Sequence, residues 1–406
     1  MENSMLIYRI CLLFTCAVIW IDTLLPPESS AGDPESVSLR IALFNIKELS
    51  TEKLLDIDNK GKGKNEQLLA AAQIIRLTDP DILIINELDH DYRVLDQGLE
   101  LNARRFQAGY LDQGKEAAAS FPYIFTAACN TGILSGVDLN NDGITASASD
   151  TGSRNYGDDC YGFGSYPGQY AMAVFSKFPI DSGNVKTFQK FLWKDLPGQH
   201  MPPDYYSAQA IRIFRLSSKS HWDLPVLIGG KTVHLLLSHP TPTVFDGKED
   251  RNGRRNFDEI KFWVDYLAGD SAIYDDRGEP AGFDNRNLFI IAGDLNTSPQ
   301  SESRYDGMTA IDQLLHHPRI SDTGAWLTSR GGGEGGQAGE PGYPERHTAQ
   351  FGRGLKMQID YILVSREIKV KTGGVYWPSA AEDPAAAALA EKASDHRMVW
   401  LDISLN

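Results

Sequence analysis

Short apolar runs recur along the chain, separated by turn-rich stretches: LRIALFNI (39–46), DILIINE (81–87), YAMAVFS (170–176), AIRIF (210–214), TVHLLLSH (232–239), NLFIIAGD (287–294), QIDYILV (358–364) and RMVWLDI (397–403). Several are continuously apolar and too short for good helices, which predicts strands buried on both faces. Helical periodicity lies between them. In NEQLLAAAQIIRL (65–77), Leu68, Leu69, Ala72, Ile74 and Ile75 form an apolar stripe that stops before Asp79-Pro80. In FDEIKFWVDYLAG (257–269), Phe257, Ile260, Val264 and Leu267 recur at three- and four-residue steps, with Gly269 as the stop signal. Strands and helices interleave without an internal repeat or long linker. The pattern predicts one α/β domain over residues 38–406.

Two stretches read as loops. Residues 329–345 are Gly-rich, which predicts no packed element, and residues 129–168 are rich in Gly, Asn, Asp and Ser. At the N-terminus, Arg9 precedes an apolar run from Ile10 to Ile21 and a small-residue stretch, Ser29-Ser30-Ala31. That predicts a cleaved signal peptide over residues 1–31 and a secreted or periplasmic protein, with an uncleaved anchor as the alternative. Export would leave two cysteines, Cys129 and Cys160. A disulfide between them is therefore expected, against two buried free thiols.

The 406-residue chain carries a formal net charge of −15. Charge alone then gives no reason to expect strong non-specific nucleic-acid binding, although a bound cation and a local basic rim can invert the potential within one cleft.

The chemistry lies in the polar residues that end the apolar runs. Asn45 lies near the end of the first, and Glu87, His239 and Asp294 close three others, with Asn296 just beyond Asp294. Asp360 interrupts QIDYILV from within, and Asp395-His396 precedes the last run. Strand ends in layered α/β folds converge on one crevice. A carboxylate inside an apolar strand is costly without a partner, and His396 is a candidate. Oxygen donors such as Glu87, Asp294 and Asp395 suit Mg²⁺ or Mn²⁺, whereas too few cysteines remain for a Cys-rich zinc site and HExxH is absent. Histidines backed by carboxylates suit acid–base work or charge stabilisation on a phosphoryl group.

In order, FNIKE, DPDILIINE, LLLSHP, IIAGDLNTSP, QIDYILV and ASDH resemble the endonuclease/exonuclease/phosphatase superfamily, which includes pancreatic-type deoxyribonucleases, apurinic endonucleases, sphingomyelinases and inositol polyphosphate 5-phosphatases. The resemblance implies a four-layer α/β/β/α sandwich of two mixed β-sheets with helices on the outer faces. It also implies Glu87, Asn45 and Asp395 on the metal side. Asp294 would orient or deprotonate the attacking water, with Asn296 beside it. His239 and His396 would contact the scissile phosphate, and Asp360 would orient His396. Departures are Asn86 and Gln358, where relatives often have Gln and Arg. Lys47 stands where apurinic endonucleases often carry an acid, and is read as a phosphate-binding cation.

Three further features stay open on the sequence. Asp138, Asn140 and Asp142 alternate as in the first half of a calcium loop with Gly143 at its turn, but Ser149 stands at the twelfth position. A structural Ca²⁺ and a plain Asx-rich loop both fit. Arg251, Arg254 and Arg255 either approach substrate phosphates or form a solvated helix entrance. YPGQY (166–170) and KSHWDLP (219–225) either line the cleft or pack as ordinary loops. The expected activity is a metal-dependent phosphodiesterase, foremost an extracellular nuclease. A phosphomonoesterase, a phospholipid or inositol-phosphate phosphatase, or a non-catalytic binding domain are the alternatives.

Overall fold

The apolar runs do form strands, and alternate side chains of one strand enter different cores. In a computed structural model, which describes residues 36–113, 120–334, 342–352 and 354–405, two six-stranded sheets face each other. The first has the spatial order β15 (Lys369–Val375), β16 (Val399–Leu405), β1 (Val37–Leu49), β2 (Ile82–Leu88), β4 (Met172–Ser176), β3 (Tyr123–Phe125). The second runs β11 (Ile320–Ser321), β14 (Asp360–Ser365), β8 (Leu288–Asp294), β7 (Lys231–Ser238), β6 (His221–Ile228), β5 (Lys186–Thr187). Two small ribbons, β9 (Arg304–Tyr305) with β10 (Met308–Thr309) and β12 (Ala349–Phe351) with β13 (Leu355–Met357), complete the strands described. Each large sheet is mixed: β1–β2 and β7–β8 are parallel, and the remaining pairs are antiparallel.

Pleating explains the unbroken hydrophobicity. Ile41 and Leu43 point into the core between the sheets, with Leu235, Leu237 and Ile290 from the other side. Ala42 and Phe44 point outward, against Leu68, Ala71 and Ile75 of the helix Glu66–Thr78. The second sheet does the same, sending Leu236, Phe289 and Ile291 outward against Phe257, Ile260 and Trp263 of the helix Arg251–Ala268. Full burial of one such large side chain contributes about 1.5–3 kcal/mol. The result is the four-layer α/β/β/α sandwich that the family resemblance implied.

Caps set the helix limits. The Asn65 side chain accepts a hydrogen bond from the Leu68 N–H at 3.2 Å, and Asp79 ends that helix in the left-handed region before Pro80. Gly269 (φ 73°) ends the long helix, as expected. That helix starts six residues earlier than its apolar stripe suggests, so the basic cluster forms its first turns.

Several expectations are corrected. AIRIF is not a strand: Ala208–Ile213 is helical, capped by the Ser207 side chain on the Ala210 N–H. HWDLPVLI is the strand β6 rather than a loop. β5 pairs only with Trp222 and Asp223, so Pro225 sits beyond it, where a missing N–H costs little. Within the Gly-rich stretch, Arg330–Gly333 makes a short helical turn in which a Cβ on Gly331 would lie 2.4 Å from the Trp377 ring. The expected Cys129–Cys160 disulfide is not formed. Both thiols are free and buried, because each sulfur has turned to its own partner: Cys129 Sγ to Thr131 Oγ1 and Cys160 Sγ to the Tyr156 carbonyl, both at 3.0 Å. Burial pushes the two thiols up, to about 11 and about 12. The signal segment (1–31) lies outside the described residues, and among those described no helix is long and apolar enough to cross a membrane.

Candidate functional site

The ends of the two central parallel pairs face each other across one cleft of about 720 Å³, lined among others by Glu87, Lys219, His239, Asp294, Asn296 and His396. Asn45 joins the two sides. Its Nδ2 donates to Glu87 Oε1 at 3.1 Å and to Asp294 Oδ2 at 3.0 Å. The other Glu87 oxygen accepts the Glu48 N–H at 2.9 Å. Register places Asn45 beside Asn86, whose Oδ1 accepts the Asp294 N–H at 2.9 Å and so ties β2 of one sheet to β8 of the other.

Asp294 is the hub. His239 Nε2 lies 3.4 Å and His396 Nε2 3.8 Å from its Oδ2. Its Oδ1 accepts the Asn296 N–H at 3.0 Å, while Asn296 Nδ2 donates to the Pro240 carbonyl at 3.0 Å. Asp360 pairs with Asp294 in register across β14 and β8, and its Oδ2 lies 2.9 Å from His396 Nδ1. Thr348 Oγ1 donates to that same oxygen at 2.7 Å, fixing the carboxylate that holds the imidazole. The buried strand carboxylate thus has the partner its cost required.

Electrostatics follow from burial. Asp294 is 2 % exposed, and desolvation raises its carboxyl well above the usual range. Burial alone would lower His396, but the Asp360 and Asp294 carboxylates outweigh it and hold the ring protonated. His239 moves the other way: burial, then Lys219 and His396, keep it neutral. The two histidines therefore differ in charge although they flank one carboxylate.

Asp395 and Lys47 also line the cleft, but they face each other, with Lys47 Nζ 2.8 Å from Asp395 Oδ2. Ser394 locks their turn, donating to the Asn45 carbonyl at 2.8 Å and accepting the Lys47 and His396 N–H groups. Of the three arginines of the basic cluster, Arg251 and Arg255 both line the cleft, Arg251 paired to Glu249 and Arg255 buried with its donors on the Leu216, Tyr161 and Arg215 carbonyls. Arg254 donates to the Glu249 and His200 carbonyls. Asp138, Asn140 and Asp142 lie apart from this constellation. Their oxygens accept N–H groups of their own loop, as Asx turns do.

Of the KSHWDLP stretch, Lys219, 7 % exposed, lines the cleft beside His239, with Nζ 3.4 Å from the Pro240 carbonyl. Other contributors escaped the sequence reading. Glu259 and Asn256 form a buried polar strip on the long helix. Glu259 accepts the Ser218 and Thr241 N–H groups at 2.6 and 2.7 Å, and Asn256 donates to the Thr241 and Leu295 carbonyls. Together they hold the loops that carry Lys219, His239 and Asn296. Their signal was two polar residues in step with Ile260 and Trp263 on a face otherwise apolar. Backbone strain gathers here too. Among the described residues, five of the ten non-glycine positions with positive φ line this cleft: Glu48, Glu87, Tyr170, Phe245 and Asn296.

A model of the Endonuclease/Exonuclease/phosphatase family matches residues 42–396. An endonuclease/exonuclease/phosphatase from Beutenbergia cavernae is similar in structure, with a TM-score of 0.50 at 17% identity over 91% of this chain and 72% of that one. TDP2 from Caenorhabditis elegans gives 0.44 at 17% identity, over 90% and 75% of the two chains. A family protein from Bacteroides thetaiotaomicron gives 0.44 at 15% identity, over 92% and 99%. Among curated proteins, none matches by sequence.

Proposed function

Because the chain belongs to the Endonuclease/Exonuclease/phosphatase family, whose members are hydrolytic phosphoesterases, we propose that it is a divalent-metal-dependent phosphodiesterase working at the Asp294 cleft. One observation carries the reading: Asn45 bridges Glu87 and Asp294 across two sheets, with both histidines facing the same Asp294 oxygen.

The donor set suits a hard cation. Glu87 and Asp294 present carboxylate oxygens on either side of Asn45, whose own Oδ1 is buried without a hydrogen-bond partner. An unsatisfied oxygen beside two carboxylates fits Mg²⁺ or Mn²⁺ better than a softer ion. Asp294, Asp360 and His396 also come within 4.8 Å of one another. We read that group as an oriented imidazole rather than a ligand set, because Asp360 is committed to His396 Nδ1 and Thr348. Glu87 and Asn45 would hold the metal, which when bound neutralises charge on the phosphoryl oxygens.

The protein's own residues supply the rest. Asp294, ionised and with its proton affinity raised by burial, accepts the proton of the attacking water. His396, charged and held by Asp360, donates to a phosphoryl oxygen, while neutral His239 and Asn296 fix the opposite side. Lys47 and Asp395 neutralise each other at the metal-side rim, so Lys47 would reach a phosphate only by leaving Asp395. Export, with secretion or a periplasmic location, belongs to the same proposal and rests on the N-terminal pattern alone.

Purified protein offered bis-p-nitrophenyl phosphate, p-nitrophenyl phosphate, plasmid DNA and RNA with Mg²⁺, and then with EDTA, tests the reading. Diester cleavage that stops with EDTA, and falls about 10²–10⁴-fold in Asp294→Asn, is expected. Turnover of monoesters alone, or of nothing, would reject it.

A further inference from the structure

The floor of this cleft is polar, and its rim carries large exposed apolar side chains among the charged ones. Phe163, Val244, Phe245 and Leu355 line it while 46%, 51%, 74% and 49% exposed. Large apolar side chains left in water around a pocket mark a place that an apolar group covers. They come from three separate segments: the loop after Cys160, the loop after β7, and the β12–β13 ribbon. Phe351 of that ribbon continues the apolar wall inward, its ring 5.4 Å from the His396 ring. Phe245 is held at φ 70°, a conformation bulky residues rarely adopt. Strain of that kind persists where the surroundings impose it, characteristically at ligand clamps.

Lys219 and Arg255 line the cleft from within, buried with their donors on backbone carbonyls, and the cations at its mouth have carboxylate partners. Lys47 pairs with Asp395, Arg154 with Asp158 at 3.2 Å, and Arg251 with Glu249. A groove for a polyanion needs free positive charge along the backbone path in addition to stacking aromatics. Here the net charge is −15 and these rim cations are already neutralised.

Resting on the phosphodiesterase reading above, the geometry points to a narrower substrate class: a small phosphodiester whose retained ester group, the one not displaced, is aryl or similarly apolar and seats against Phe163, Val244, Phe245 and Leu355. The phosphate reaches the Asp294 floor, and the apolar group takes the place of water on the rim.

A series sharing one leaving group tests this: p-nitrophenyl phosphate diesters whose second ester is phenyl, methyl or thymidine, with a single-stranded oligonucleotide alongside. The phenyl compound should exceed the methyl one in kcat/KM by roughly 10–100-fold, the value of burying a ring. That ratio should collapse toward one in Phe163→Ser/Phe245→Ser. It should persist in Leu77→Ser, whose exposed side chain lies on the helix Glu66–Thr78, away from the cleft. If the double variant fails to show the wild-type circular dichroism, Val244→Ser/Phe245→Ser gives the same reading. Equal rates for phenyl and methyl esters overturn the inference while leaving the phosphodiesterase standing. Faster cleavage of the oligonucleotide or thymidine diester than of the phenyl compound overturns it in favour of a nuclease. No turnover of any diester removes the parent reading itself.

Discussion

The two large sheets are wired alike and equipped differently. Each has six strands and one internal parallel pair, β1–β2 in the first and β7–β8 in the second, and each ends that pair at the cleft. The first sheet delivers Asn45 and Glu87, with Glu87 half-buried and held by an amide and a backbone N–H. The second delivers His239, Asp294 and Asp360, none more than 3 % exposed. Their support differs as well. The Asn45 end is tied by Ser394 from the turn before β16, whereas the His239 and Asn296 loops are held from behind by Asn256 and Glu259. One topology thus yields a pole opened at Glu87, where an ion would keep its waters, and a dry pole. Protonation states at the dry pole are set by burial and neighbouring charge.

The sharpest way to break that contrast is to compare Glu87→Gln with Asp294→Asn. If the first sheet's role is ion binding, Glu87→Gln should raise the Mg²⁺ concentration for half-maximal activity by roughly 10–100-fold. Excess metal should recover much of kcat, while Asp294→Asn should stay impaired at every concentration. Metal titrations of both variants, read as kcat, decide it. Equal and irrecoverable losses would mean that the poles are not distinct.

A smaller effect, on stability, is expected from Glu259→Ala. This carboxylate, 1 % exposed, satisfies two buried N–H groups, and leaving them unpaired costs about 1–3 kcal/mol each. Urea unfolding should show a loss of about 2–5 kcal/mol. Thr241 follows closely on His239, so residual activity at 15 °C should fall along with stability. An unchanged urea midpoint would remove the helix as a support of the second sheet.

The sequence exposed the poles better than their supports. Asn45, Glu87, His239, Asp294 and His396 could be found because each ends or adjoins an apolar run, and strand ends meet in space. Asn256 and Glu259 were hidden because helical periodicity assigns a face and does not say which polar residues on it are buried. AIRIF misled for another reason: a short apolar run broken by one arginine fits a strand and a turn and a half of helix equally, and Ser207 as a cap was the deciding signal. The disulfide expectation assumed that two remaining thiols must meet. It failed: both thiols are free and buried, with Thr131 Oγ1 and the Tyr156 carbonyl as their separate partners.

The smallest expected effect tests whether the long helix holds only the second sheet's loops or also its own outer flank. Asp258, fully buried on that helix, accepts from Trp193 Nε1 and the His200 N–H, both at 2.6 Å, and its Oδ1 lies 2.7 Å from His200 Nδ1. That hydrogen bond, against the opposing effect of burial, raises the His200 imidazole above its usual value, with Asp306 adding to it. A group raised on folding contributes its full stabilisation below the unfolded value near 6.5 and loses it as pH climbs through the folded one. The wild type should therefore exceed His200→Gln in urea stability at pH 5.5 by up to about 1 kcal/mol, the scale of a partly exposed pair. By pH 9 the margin should have shrunk. A margin that grows with pH would mean that the neutral ring is the form the fold prefers, and that Asp258 serves Trp193 alone.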